Sequence, residues 1–250
     1  MRGDAVYRAL EREIAAAADR GSRPVRVLDV GGGSGVWAVP LAASGCAVTV
    51  VDPSPDALAV LRRRATEAGC AARVTALQGD TDVLADVVAP GAADLVLAHG
   101  VLEVVDDLDA AVGALAVATA PGGVLSVLVA NRFAAVLTRA MAGRVAEARA
   151  LLADPEGRST AGGGADGLRR RLDSVRLDAL LGAAGLRVEL LQGHGVVADL
   201  VPGAVLDANP GAAEALAELE LVAAVTPPLR DIATRLHALA RRPSGIADLG

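Results

Sequence analysis

A run of glycines and one later carboxylate are the residues of this chain whose types and spacing could do chemistry. Gly31-Gly32-Gly33-Ser34-Gly35 follows the apolar stretch Val27-Leu28-Asp29-Val30, and Asp52 closes a second apolar stretch, Ala47 to Val51. Glycine lets a turn's backbone come close to a ligand. A carboxylate about twenty residues on, at the tip of the neighbouring strand, can accept both hydroxyls of a ribose. The elements that must position these groups are a strand, the turn, a helix over Val36 to Ala43 and a second strand ending at Asp52. Together they form a nucleoside-binding βαβ unit.

The spacing of the glycines separates the ligand classes that use such a unit. A dinucleotide site needs G-x-G-x-x-G, with its third glycine packing a helix against the sheet and the helix N-terminus facing a pyrophosphate. Counting from Gly31 and Gly33, that third position is Val36. The pattern is G-x-G-x-G, preceded by Asp29, an acid expected to hold the amides of the turn. It resembles the first motif of class I S-adenosylmethionine-dependent methyltransferases, whose ligand has no phosphate. A glycine turn without a ligand would leave Asp52 unexplained.

Composition narrows the classes further. The chain has 250 residues, 53% of them hydrophobic, which is enough for one substantial α/β domain. The only aromatics are Tyr7, Trp37 and Phe133, so stacking of a substrate is poorly supplied. Every basic residue is arginine, which excludes a catalytic or Schiff-base lysine, and the net charge of -6 opposes general affinity for nucleic acid. Local arginine runs, Arg62-Arg63-Arg64 and Arg169-Arg170-Arg171, leave room for a contact to one RNA. The first suits the C-terminal dipole of its helix; the second suits a phosphate or carboxylate, or an ordinary charged helix start. Cys46 and Cys70 have neither metal-ligand nor disulfide spacing and read as reduced core residues. No metal site is expected. Without a transmembrane-length apolar run or a signal-peptide core, a soluble cytoplasmic protein is expected.

The remaining elements are expected to follow the same alternation. Ala5 to Arg20 is a capping helix, and Pro55 to Gly69 is a helix capped by Ser54. Arg73 to Gln78 is a third strand, with Asp80 and Thr81 at its carboxyl end, where open parallel sheets bind ligands. Thr81 could also cap a short helix running to Val88. Ala93 to Ala98 is a fourth strand, leading to His99. A helix over Asp106 to Ala118 reaches a tight turn at Pro121-Gly122-Gly123, and a fifth strand covers Val124 to Ala130. From Asn131 to Arg171 the alternation breaks, predicting a lid or substrate-recognition insertion, with Ala161-Gly162-Gly163-Gly164 as its mobile part. A helix over Asp173 to Ala184, a strand over Leu186 to Gln192 and a helix over Ala212 to Ala224 follow. Residues Ile232 to Ala240 are assigned as the last strand because the sheet needs one.

VLDVGGGSG, VVDPSP, ADLVLAHGVLEVVDDL, APGGVLSVLVANRFAAVL, MAGRVAEA and ADLVPGA together resemble the tRNA 5-carboxymethoxyuridine methyltransferase family and its actinobacterial relatives over most of the chain. The resemblance implies a Rossmann-like α/β fold, with a mostly parallel seven-stranded sheet, helices on both faces and a lid after strand five, as a single domain over 1–250. It implies S-adenosyl-L-methionine as cofactor and the carboxylate of a modified wobble uridine as acceptor. By matching motif, Gly31 and Gly32 would face the amino-acid part of the cofactor, and Asp29, Gly33 and Pro53 would belong to the same cofactor site. Asp52 would face its ribose, Asp80 and Thr81 its adenine, and His99 the neighbourhood of the sulfonium. Asn131, Arg169 and His194 are the candidate substrate contacts. The chain departs from the family where Asp4, Ala5 and Val6 replace an N-terminal arginine, where Ala130 replaces a tyrosine and where Gly195 replaces an arginine suited to a substrate carboxylate.

Three functions stay open at this level: methyl transfer to a carboxyl oxygen, on tRNA among other acceptors; O- or N-methylation of a small metabolite; and a non-catalytic protein that binds the cofactor or a partner. An ionised carboxylate acceptor needs no general base. A hydroxyl acceptor does, and His99, Glu103 and His194 are the candidates. Spacing identifies no catalytic residue and no oligomeric state.

Overall fold

The computed structural model describes residues 5–158 and 169–245. Its seven strands are β1 (Arg26–Val30), β2 (Ala47–Asp52), β3 (Val74–Gln78), β4 (Ala93–His99), β5 (Thr119–Ala130), β6 (Arg187–His194) and β7 (Arg235–Arg241). They form one sheet in the order β3-β2-β1-β4-β5-β7-β6. β1 pairs in parallel with β2 and β4, and β2 with β3, in a register that sets Asp29 opposite Val50 and Leu97. Every residue of β4 except His99 is buried, as expected of a central strand covered on both faces. The sheet is the mostly parallel Rossmann-like one expected.

The helices are α1 (Ala5–Asp19), α2 (Ala38–Ala43), α3 (Pro55–Glu67), α4 (Leu84–Val87), α5 (Leu108–Ala118), α6 (Arg132–Met141), α7 (Val145–Ala153), α8 (Ser174–Ala183), α9 (Gly203–Ala208) and α10 (Ala212–Ala223). Several begin at side-chain caps that satisfy an otherwise orphaned first-turn amide. Ser54 Oγ accepts from the Ala57 amide at the start of α3, Asp107 from that of Ala110 at α5, and Asn131 from that of Phe133 at α6.

The chain divides into two compact units. One comprises Leu10–Val127, Ala179–Glu189 and Leu239–Gly250, and holds β1 to β4 with the helices between them. In its core, Leu28, Leu95, Leu97, Leu115 and Leu125 are fully buried. The other comprises Met1–Ala9, Leu128–Asp178 and Leu190–Ala238, and holds the helical pair α6 and α7 with α9 and α10.

Three boundaries differ from the sequence expectation, each because a backbone group has a partner that periodicity does not reveal. Pro121-Gly122-Gly123 lies inside β5 rather than in a turn before it: the Gly122 amide donates to Arg242 O at 2.8 Å, and the Arg242 amide to Gly123 O at 2.9 Å. The last strand runs Arg235–Arg241 and not from Ile232. The carbonyls of Asp231 and Ala233 accept the Asn131 side-chain amide, each at 2.8 Å, and Arg230–Ile232 is a 3-10 turn. Thr81 does not cap α4; the Asp80 carboxylate instead accepts the amides of Asp82 and Val83, and Thr81 is buried. In the insertion expected over 131–171, α6 and α7 are helical, whereas Ala161 to Gly164 lie outside the described residues.

Candidate functional site

β1 ends at Val30 and the chain turns at once, with the Gly31 amide donating to Val51 O at 2.7 Å and the Gly35 amide to Gly32 O at 2.9 Å. The turn needs glycine for two separate reasons. Gly31, Gly33 and Gly35 have φ of 69°, 53° and 82°, in the left-handed region that disfavours a side chain. Gly32 has ordinary φ but no room: a Cβ there would lie 2.5 Å from the Asp29 carboxyl and 3.0 Å from Val50.

Asp52, at the tip of β2, is the clasp of the turn. Its Oδ2 accepts the Gly33 amide at 2.9 Å, and its Oδ1 accepts the Ser54 amide, also at 2.9 Å. One carboxylate thus joins the glycine turn to the start of α3. Two amides use half of the lone-pair positions of a carboxylate, so Asp52 keeps acceptor capacity for a hydroxyl pair.

A cavity of about 400 Å³ opens beside the turn, within the range of small-ligand sites. Its walls include Gly31, Asp52 and Pro53, then Asp80 and Thr81 beyond β3, and the segment Gly100 to Asp106 after β4. These are the carboxyl ends of four neighbouring strands, where an open α/β sheet takes its ligand.

Asp29 behaves differently from its expected role. The amide of Gly33 goes to Asp52, not to Asp29. Asp29 is 1% exposed, and its Oδ2 has no hydrogen-bond partner among the described residues. Burial, with the Asp52 charge as second cause, pushes its carboxyl up to about 7. A carboxyl in this range can exchange a proton near neutrality.

The remaining predicted residues have other surroundings. His99 is half-buried; its Nε2 lies 2.8 Å from Ser126 Oγ, and its ring meets Trp37 edge-on with centroids 4.8 Å apart. Its successors Gly100 and Val101 line the cavity. Asn131 is 1% exposed and spends its side chain on the carbonyls of Asp231 and Ala233 and on capping α6, so its work is structural. Arg169 is exposed, and its carbonyl accepts from the Arg171 guanidinium. His194 belongs to a second cavity, of about 340 Å³, with Gly195, Asp199 and Glu220. The cofactor-side candidates, Asp29 to His99, share one compact unit, and Asn131, Arg169 and His194 lie in the other.

Spacing missed the wall after β4. Val101 places its Cγ2 2.6 Å from where a Cβ on Gly31 would sit, and Val104 is 62% exposed at the cavity. The run Val101 to Asp106 directly after His99 was the available signal, since any residue leaving the carboxyl end of a central strand is placed for a ligand.

In the second cavity, Glu220 accepts three successive amides, from Val196, Val197 and Ala198, at 2.6, 2.8 and 3.0 Å. Burial alone would raise its carboxyl, but the three amides and His194 outweigh it and hold it below the usual range. Among the described residues, no group of three or more His, Cys, Asp or Glu could hold a metal ion. Among the same residues, no helix is long and apolar enough to cross a membrane.

Residues 3–191 match the family of the methyltransferase domain. A ubiquinone biosynthesis O-methyltransferase of Methylocella silvestris is 34% identical over 113 residues, which is 43% of this chain and 41% of that protein. The chain spans about half the length, or less, of the curated relatives it matches. Among solved structures, an S-adenosylmethionine-dependent methyltransferase from Mesorhizobium loti superposes with a TM-score of 0.56 at 20% identity, covering 92% of this chain and 97% of that one. The cyclase SpnF superposes with a TM-score of 0.60 at 21% identity, covering 95% and 83%. At these identities the superpositions show the fold.

Proposed function

The chain belongs to the methyltransferase-domain family, and we propose from that premise that it transfers a methyl group from S-adenosylmethionine to an oxygen of a small-molecule acceptor. Family and fold are those of S-adenosylmethionine-dependent methyltransferases. The observation that carries the reading is the Asp52 clasp: a carboxylate tied to the glycine turn, with lone pairs to spare, in the wall of a cavity of ligand size.

The residues present fit the cofactor. Gly31 brings bare backbone to the cavity for the amino-acid part, Asp52 and Pro53 stand for the ribose, and Asp80 and Thr81 stand for the adenine. S-adenosylmethionine, when bound, supplies both the electrophilic methyl carbon and a good leaving group. The protein's share is to align the acceptor oxygen and exclude water, worth up to about 7 to 11 kcal/mol when orientation is ideal. A hydroxyl acceptor must also lose a proton. His99, half-buried and held by Ser126 and Trp37 just before the cavity wall, is the base we assign to that step.

The quinone O-methyltransferases among the relatives favour a hydroxyl on a small molecule over the wobble-uridine carboxylate. The tRNA reading rests on sequence resemblance and is tested by mass spectrometry of tRNA nucleosides from a deletion strain: an unchanged uridine profile removes it. SpnF, a cyclase on the same fold, supports keeping cofactor binding without methyl transfer as a second reading. Calorimetry tests the main one. S-adenosylmethionine and S-adenosylhomocysteine should both bind, and Asp52→Ala should weaken each at least tenfold by removing a charged hydrogen-bond acceptor and the clasp together. Absence of binding by the unaltered protein would overturn the reading.

A further inference from the structure

In the unit that holds α6, α7, α9 and α10, two helical surfaces leave apolar side chains in water along one face, and the charges among them are opposite. On α7, Val145, Arg149 and Leu152 are spaced four and three apart, which stacks them on a single side of the helix. Met141, the last residue of α6, lies just before them in the chain. Met141, Val145 and Leu152 are each more than half exposed. On α10, Glu214, Glu218 and Val222 follow one another at intervals of four, with Leu219 beside them. Val225 continues that strip, its amide donating to Val222 O at the helix end. Leu219, Val222 and Val225 are also each more than half exposed. Single exposed apolar residues are ordinary, but strips of them along a helix face mark a contact surface.

Both helices spend their other side on the fold. Ala148 and Leu151 of α7 are buried, and α6 and α7 pack on each other. From α10, Ala223 is buried with Val196 and Ala233, and Glu220 takes the three amides of Val196 to Ala198. The exposed strips are therefore not the faces that hold the unit together.

Their charges tell what covers them. The charged residues of α10 are all acids, Glu214, Glu218 and Glu220. Glu214 and Glu218 are exposed, meet no cation among the described residues and repel each other across one turn. The strip on α7 has the reverse sign. Arg149 stands between Val145 and Leu152, exposed and with no carboxylate partner among the described residues, and Arg144 has Glu147 at 3.5 Å. Each strip thus carries the charge that the other lacks, set among apolar side chains.

We propose that this chain forms a two-fold homodimer in which α10 of each copy packs on the α6 and α7 edge of the other, with Glu218 facing the partner's Arg149. A two-fold operator applies each contact twice, so both strips of both copies are covered and neither is left to start a filament. The area is of the right size: six side chains expose roughly 600 Å² of apolar surface per copy, and a standard interface buries about 800 Å² per partner, about 65% of it apolar in homodimers. The opposite charges fix the orientation, since α10 against α10 would set acids against acids.

The test is sedimentation equilibrium of the full chain from about 1 to about 100 µM, where the mass should rise to that of a dimer and stop. Glu218→Arg and Arg149→Glu, each at an exposed position, should weaken dimerisation at least tenfold. The double variant should recover to within about threefold of the unaltered protein, because the pair is restored with its signs exchanged. Val222→Asp should stay monomeric over the whole range. Far-ultraviolet circular dichroism checks that each variant is folded. A monomer at every concentration, a mass that grows past the dimer, a dimer indifferent to both single reversals, or no recovery in the double variant overturns the inference. The cofactor reading survives each of these outcomes, because no residue of either strip lines the cavity beside the glycine turn.

Discussion

Two carboxylates set inside this protein are treated in opposite ways. Glu220 meets three amide donors and is held below the ordinary range, whereas Asp29 meets no donor among the described residues and a like charge, and is raised to about 7. Val196 to Ala198 curl their amides around an acid that the chain itself provides from α10. The glycine turn sends the Gly33 amide to Asp52 and leaves the acid beneath it unanswered. An acid met by amides holds a loop and stays low; an acid left with burial and a like charge is raised.

The largest expected effect comes from intruding on the unsatisfied acid. Gly32→Ala puts a methyl group 2.5 Å from the Asp29 carboxyl, so either the turn or Asp29 must move. Calorimetry should then show binding of S-adenosylmethionine weakened about a hundredfold or more, because a displaced turn also loses its Asp52 clasp. Unchanged affinity would mean that the turn does not hold the ligand.

Next in size is removal of the charge. A carboxyl raised in the folded state stabilises least where it is ionised in both states, so stability attributable to Asp29 falls as pH climbs from about 4 to about 7. Asp29→Asn, which is never ionised, should therefore raise the thermal midpoint by several degrees at pH 8 and leave it unchanged near pH 4. A variant destabilised at pH 8 would show that Asp29 is satisfied after all.

Smallest is the loss of the satisfied acid. Glu220→Ala strips an acceptor from three amides that solvent partly reaches, for a destabilisation of roughly 1 to 2 kcal/mol by urea unfolding at pH 7. A carboxyl held low contributes above its ordinary range and loses that contribution as pH falls, so the difference from the unaltered protein should shrink below pH 4. An equal difference at pH 7 and pH 3 would contradict the amide nest.

The contrast also explains what the sequence displayed. The βαβ unit was legible because apolar stretches, a glycine run and a terminal acid are local patterns, and Asp52 stands where a strand-tip acid must. Ser54 as a cap was legible for the same reason. The pairing of Gly122 and Gly123 with Arg242 was not, since a glycine pair after proline reads as a turn until the partner strand, more than a hundred residues away, is known. Asn131 was a candidate substrate contact through the family resemblance, and only the carbonyls of Asp231 and Ala233 reveal what its side chain holds. Asp29 and Asp52 were both expected at the turn, but no spacing rule tells which of two neighbouring acids will receive an amide.

Arg242 reaches back across the chain, donating from one guanidinium nitrogen to the carbonyls of Ala116, Val117 and Thr119 at the end of α5, while its backbone zips onto Gly122 and Gly123. A ribosome making this protein therefore emits α5 and the start of β5 long before the residue that secures them. Until then those carbonyls must rely on water, and closing so long a loop is slow. A nascent chain stalled short of residue 242 should leave this corner of the sheet open to proteases.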